Sequence, residues 1–331
     1  MNIGIVGATG LVGKTLIDEL FNHFKEAFDL YIFISDNAEP VKRVSKQKIH
    51  VCNMSRLGAM HLDVVFFATP PNISKQWIPL LRKNESIFII DGSSAFREDE
   101  NIPLIIPEIN GNILTPSMNC VSSPNCTTTL VLMALAPLHR YGHLCSFSLS
   151  SYQAASGVGK QGVNELTEQC KSWVLKTPQA KPKAFPKVLF FNAIPQIGHF
   201  LPNGDTEEEQ KVCNESRKIL GLPNLKVFST CVRVPVLQCH SLSISATFET
   251  DIALDVAEEI LNETPGVKFY VENYPDTYVA KDNSLCHVGR LRMDTTRPHT
   301  LAFWVVGNQL LKGAATNMRQ ILELKLKLST R

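Results

Sequence analysis

Four short, near-continuous apolar runs open the chain, at residues 2–6, 30–34, 64–68 and 87–90. Each has the length of a strand, and none shows the polar alternation of a sheet with one wet face. Between the first two, Leu11, Val12, Leu16, Ile17, Leu20, Phe21 and Phe24 recur every three or four positions, as on one face of a helix. Residues 74–81 read as a second, shorter helix that Pro79 complicates. Strands apolar on both faces, alternating with helices, predict a parallel sheet covered on both sides. The pattern changes after residues 130–136, an apolar run of helical character. Polarity alternates over 145–152 and His240–Phe248, where Leu242, Ile244, Ala246 and Phe248 share one face and Ser241, Ser243, Ser245 and Thr247 the other. That alternation predicts a mainly antiparallel sheet with a solvated or interface face. Glu207–Leu220 reads as a helix, 178–187 as a surface loop, and the chain closes with a strand at 301–306 and a helix from about 309 to 326. The fold class is α/β for the first part and α+β for the second.

Gly7-Ala8-Thr9-Gly10-Leu11-Val12-Gly13 lies between the first strand and the first helix. A glycine-rich turn in that setting lets the backbone approach a pyrophosphate, which the helix N-terminus then binds. The end of the second strand reads Ser35-Asp36-Asn37. Asp36 favours the ribose hydroxyls of NAD, whereas Lys42 and Arg43, a few residues on, favour the extra phosphate of NADP.

A chain of 331 residues has the length of two domains. A net charge of +2, without a basic stripe, gives no reason to expect nucleic acid. No apolar run reaches the roughly 18 residues of a membrane span, and the first residues read as a strand, not an export signal. The nine cysteines show neither CxxC pairs nor zinc-ligand spacing, so no metal is expected and reduced thiols in a cytoplasm fit best.

Cys126 stands out among them. It sits in Ser122-Ser123-Pro124-Asn125-Cys126-Thr127-Thr128-Thr129, where a loop turns into a helix. Unpaired backbone N–H groups and the helix dipole favour a thiolate there, which makes the thiol a candidate nucleophile. Cys239, beside His240, is a second thiol that labelling experiments would have to separate from it.

With these features placed, the chain resembles the aspartate-semialdehyde dehydrogenase family over nearly its whole length. The resemblance is carried by the glycine turn, Ser93-Ser94-Ala95-Phe96-Arg97, Ile106-Pro107-Glu108-Ile109-Asn110, Pro124-Asn125-Cys126-Thr127, Ser151-Tyr152-Gln153-Ala154, Asn192-Ala193-Ile194-Pro195-Gln196-Ile197-Gly198, Arg233-Val234-Pro235, His240 and Lys312-Gly313-Ala314-Ala315. It implies a Rossmann-type NAD(P)-binding domain at 1–125, completed by 308–331, and a catalytic and dimerisation domain at 126–307. It also implies a homodimer that takes a small-molecule substrate and phosphate. The implied reaction converts β-aspartyl phosphate to aspartate semialdehyde with NADPH, on the route to lysine and diaminopimelate, threonine and methionine. Cys126 would form a thioacyl-enzyme, His240 serve as acid and base, and Gln153 orient the substrate. Arg233 would hold the substrate carboxylate and Glu208 its amino group, while Arg97, Lys211 and Asn125 bind phosphate. Gly7, Thr9, Gly10, Leu11, Val12, Gly13, Asn37, Ser156, Gly157 and either Asn308 or Gln309 would meet the cofactor. Asn37 and Ala38 stand where relatives often carry an arginine and a serine for the 2′-phosphate, so NAD stays open beside NADP. The family's Asp-Asn reads Asn308-Gln309, its following arginine reads Leu311, and Thr69-Pro70-Pro71 replaces a small-residue turn.

N-acetyl-glutamyl-phosphate reductase shares the thiol chemistry, but its Gly-Cys-Tyr-Pro setting is absent here. The Ser-Cys-Thr-Thr-Asn context of glyceraldehyde-3-phosphate dehydrogenase is also absent. A non-catalytic NAD(P)-binding relative would be expected to lack Cys126, Gln153, Arg233 or His240, and all four are present.

Overall fold

The computed structural model describes residues 1–24, 28–34 and 49–329. It divides into two compact units, 1–124 with 314–331, and 125–313.

The first unit is built on six parallel strands: β1 (Asn2–Val6), β2 (Asp29–Ile34), β3 (Ile49–Asn53), β4 (Val64–Phe67), β5 (Phe88–Asp91) and β6 (Cys120–Ser122). Their order in the sheet is β3-β2-β1-β4-β5-β6. Alternate residues of β4 show why its run is apolar throughout. Val64 and Phe66 pack with Leu16, Ile17 and Leu20 of the Leu11–His23 helix and with Met318 and Ile321 of the Thr316–Ser329 helix. Val65 and Phe67 pack on the other face with Ile78 and Leu81 of the Pro71–Leu81 helix. Each such side chain, fully buried, contributes about 1.5–3 kcal/mol. Pro79 does not break its helix, which begins three residues earlier than expected, at Pro71, where a missing N–H costs nothing. The edge strand β3 is not predicted by the apolar pattern, because only Cys52 of Ile49–Asn53 is buried.

The second unit carries β7 (Leu144–Gln153), β8 (Lys226–Arg233), β9 (His240–Phe248), β10 (Val267–Tyr270), β11 (Cys286–Met293) and β12 (Thr300–Gly307). Their order is β10-β11-β12-β9-β7-β8. Three of the five pairings are antiparallel, while β7–β8 and β10–β11 are parallel, so the sheet is mixed. Leu242, Ile244, Ala246 and Phe248 are buried on one face of β9, and Ser243, Ser245 and Thr247 are half-buried on the other. The Cys126–Gly142 helix is buried continuously from Thr127 to Leu138, which explains its lack of a polar stripe.

The boundaries differ from the expected 125/126 and 307/308. Asn125 belongs with the second unit because it caps the Cys126 helix and bonds to Glu208. Residues 308–313 also belong there: Asn308 Nδ2 donates to Lys281 O at 2.6 Å and Gln309 accepts from Cys239. The closing helix is likewise not continuous from 309, since a π-helical turn, Leu311–Ala315, precedes Thr316–Ser329.

Candidate active site

Strand register assembles the second unit's polar residues at one end of its sheet. Gln153 and Arg233, the last residues of β7 and β8, are paired neighbours. β9 runs antiparallel to β7, so His240 begins where β7 ends, and His240 also pairs with Gly307, the last residue of β12. Gln153, Arg233 and His240 are all buried, although each is polar. Buried polar groups cost free energy unless they are bonded, so their partners define the site.

Cys126 is the first residue of its helix and is partly accessible. The preceding Asn125 caps that helix, its Oδ1 accepting the N–H groups of Thr127 at 2.8 Å and Thr128 at 3.2 Å. Asn125 Nδ2 donates to Glu208 Oε1 at 3.0 Å, and its backbone N–H donates to Glu215 Oε2 at 2.6 Å. The side chain placed by resemblance at the phosphate is therefore also the structural cap.

Glu208 is the hub. It accepts from Asn125 and from Gln153 Nε2 at 3.3 Å, and Lys211 Nζ lies 3.5 Å from its other oxygen. Burial opposes its charge, but Lys211, the Asn125 amide, Arg233 and the Gln153 amide outweigh burial and hold its carboxyl below the usual range. Gln153 Nε2 also donates to Thr127 Oγ1 at 2.9 Å, which ties the sheet end to the residue after the thiol. Arg233 Nη1 donates to Ala154 O at 2.7 Å. Burial lowers its pKa, while the charges of Glu208 and Cys126 raise it. That coupling is mutual, so the guanidinium favours the Cys126 thiolate.

His240 Nδ1 accepts the Ala154 N–H at 3.2 Å, which leaves the neutral ring's proton on Nε2. Nε2 is buried and has no hydrogen-bond partner among the described residues. Burial pushes the ring down to about 3, and Arg233 acts in the same direction. The ring is thus neutral near pH 7, with an unspent donor.

Ser156 and Gly157 join this site. A Cβ at Gly157 would lie 2.5 Å from Arg233 Nη1 and 3.3 Å from His240 Cε1, so only glycine fits without displacement. Ser156 Oγ accepts from Gln309 Nε2, and Gln309 Oε1 accepts the Cys239 N–H at 2.8 Å. Asn308 Oδ1 accepts the N–H groups of Leu310 and Leu311. Cys239 itself is fully buried and its thiol is pushed up to about 12 by burial, which removes it as a competing nucleophile.

In the first unit, Gly7 has φ 91, and a Cβ there would meet Ala68 O at 2.3 Å. A Cβ at Gly13 would meet Gly7 O at 2.2 Å. Gly10 is exposed, as is Thr9, and its Cβ would meet nothing nearer than Gly7 O at 3.4 Å. Gly10 begins the Leu11–His23 helix without a side-chain cap, which leaves N–H groups for a ligand. Leu11 is half-buried, and Val12 packs on the core beneath. This turn fits a dinucleotide pyrophosphate. Arg97 is buried in the same unit, donating through Nε to Ser123 O at 3.0 Å and through Nη2 to Gly92 O at 2.9 Å. Asp36, Asn37, Ala38, Lys42 and Arg43 lie outside the described residues. Among the described residues no His, Cys, Asp and Glu group could hold a metal, and no helix is long and apolar enough to cross a membrane.

The sequence reading gives no site role to Thr127, Ala154, Glu215 or Gly313; a Cβ on Gly313 would lie 2.8 Å from the Cys126 Cβ. Glu215 carried one available signal: Glu208 and Glu215 are seven apart on one helix, hence on one face, and both are buried.

The chain matches two family models: semialdehyde dehydrogenase, NAD binding domain, over residues 2–115, and semialdehyde dehydrogenase, dimerisation domain, over residues 135–312. It is 35% identical to aspartate-semialdehyde dehydrogenase of Aquifex aeolicus over 98% of both chains. It is 34% identical to that of Bacillus subtilis, over 99% of this chain and 98% of the relative. Its structure resembles aspartate semialdehyde dehydrogenase II of Vibrio cholerae complexed with ASA, with a TM-score of 0.92, 30% identity and 98% of each chain covered.

Proposed function

We propose the following division of labour because the chain belongs to the aspartate-semialdehyde dehydrogenase family. It reversibly converts β-aspartyl phosphate to aspartate semialdehyde and phosphate, a step toward lysine and diaminopimelate, threonine and methionine.

Cys126, held as thiolate by the helix N-terminus and Arg233, attacks the acyl carbon, and phosphate leaves. Arg233 grips the substrate α-carboxylate through the fork of its guanidinium. Glu208 meets the α-amino group, and Gln153 orients the acyl group beside Thr127. Arg97, Lys211 and Asn125 take the phosphate. His240 acts through Nε2–H, which donates to the substrate oxygen as negative charge collects there, first when the thiolate attacks and again in the thiohemiacetal. Neither tetrahedral oxyanion needs a full proton to collapse, so a neutral imidazole suffices. The observation that carries this reading is the buried, unpartnered Nε2 beside Arg233 at the sheet end tied to Thr127.

NADP is the cofactor favoured by the family resemblance, and it supplies or accepts the hydride when bound. Gly7, Thr9, Gly10, Leu11, Val12 and Gly13 would hold its pyrophosphate, Asn37 would meet its ribose end, and Ser156, Gly157 and Gln309 would border its nicotinamide. The enzyme works as a homodimer through its dimerisation domain. Nine free thiols suit a reducing cytoplasm.

Purified protein given aspartate semialdehyde and phosphate should reduce NADP, and Cys126→Ala should abolish this. Nucleotide binding without turnover would overturn the reading.

A further inference from the structure

The turn after β12 reaches both the Cys239 backbone, just before His240, and the nucleophile. Gln309 Oε1 accepts the Cys239 N–H at 2.8 Å, and Gln309 Nε2 donates to Ser156 Oγ, so both ends of the amide are engaged inside the protein. Cys239 has φ 73, a left-handed conformation that costs a residue with a Cβ free energy and persists only where the surroundings impose it. It immediately precedes His240. Four residues beyond Gln309, a Cβ on Gly313 would lie 2.8 Å from the Cys126 Cβ and 3.5 Å from the Gln309 Cβ. A glycine is therefore needed to bring this segment against the nucleophile. Gly313 lies within a π-helical turn, Leu311–Ala315, an irregularity frequent at functional sites.

We propose that Gln309 is a positioning residue. It clamps the strained Cys239 backbone and thereby sets the His240 ring, from the same short segment that abuts Cys126. Beyond any contact with the nicotinamide, it contributes to the reaction through the Cys239 N–H. Asn308 serves the segment differently, capping the turn through Leu310 and Leu311. The proposal rests on the role assigned above to His240.

The test compares Gln309→Ala, Gln309→Glu and Gln309→Ala/Cys239→Gly, measuring kcat, both KM values and hydrogen exchange at the Cys239 amide. Gln309→Ala should lower kcat ~10- to 100-fold, the scale of a small misplacement of a catalytic group. The fall in kcat should persist at saturating NADP, and the Cys239 amide should exchange faster. Gln309→Glu keeps an acceptor for Cys239 and can accept from the Ser156 hydroxyl, so it should recover most of kcat. Glycine at 239 adopts φ 73 without strain, so the double variant should regain part of the loss. A raised KM for NADP with kcat unchanged would overturn the proposal, as would unaltered Cys239 exchange in Gln309→Ala. If the parent enzyme does not turn over at all, the functional reading fails, and the exchange measurement still decides whether Gln309 holds that backbone.

Discussion

Gly157→Ala probes the packing that sets the substrate-binding guanidinium. The new Cβ would lie 2.5 Å from Arg233 Nη1. Ordinary heavy-atom contacts are at ~3.5 Å, so the nitrogen must retreat by ~1 Å. It is held at 2.7 Å by Ala154 O, and a retreat of that size breaks the bond. A hydrogen bond involving a charged group contributes about 1.5–3 kcal/mol, and each ~1.4 kcal/mol is a factor of ten. Phosphate-dependent NADPH formation from aspartate semialdehyde should therefore show kcat/KM falling ~10- to 100-fold, mostly through a higher KM for the semialdehyde. Thermal melting in parallel confirms that the variant is folded. An unchanged kcat/KM in a folded variant would refute the reasoning. A rise confined to the KM for NADP would make Gly157 a cofactor contact and nothing more.

Three further outcomes are expected. Asn125→Asp keeps the helix cap but sets a negative charge beside the thiol, so the pH profile of Cys126 alkylation should move to higher pH; a shift to lower pH would contradict the thiolate account. His240 refuses a proton down to about 3 when folded but takes one near ~6.5 when unfolded, so the native state should lose stability as pH falls through that window. His240→Asn should flatten the dependence of Tm on pH there, and an identical acid slope would count against a buried neutral ring. Arg319 Nε donates to the buried Glu19 carboxylate at 2.9 Å, so Arg319→Met should cost ~3–5 kcal/mol in urea denaturation by leaving that charge unpaired, and adding Glu19→Gln should recover much of it.

The parallel sheet was legible because β1, β4 and β5 are buried on both faces and so read as unbroken apolar runs. β3 was not, because an edge strand buries little and leaves no periodic mark. The antiparallel part was legible in β9, whose serines alternate with core residues. The parallel β7–β8 and β10–β11 pairings were hidden, since alternation reports which face is wet and not strand direction. Cys126 announced itself by its position at a helix start. The role of Glu208 as hub depends on Asn125, 83 residues away in the chain, and no local pattern encodes that. Gln309 looked like one of two candidate amides, and only the Cys239 N–H distinguishes it from Asn308.

The most direct test of the central claim is intact-protein mass analysis of the enzyme mixed with aspartate semialdehyde and NADP in the absence of phosphate. Hydride removal should then stop at the thioester, and one aspartyl acyl group should appear on Cys126, absent in Cys126→Ala and discharged when phosphate is added. NADPH formation with no acyl group on Cys126, or an adduct that survives the Cys126→Ala change, would contradict the account.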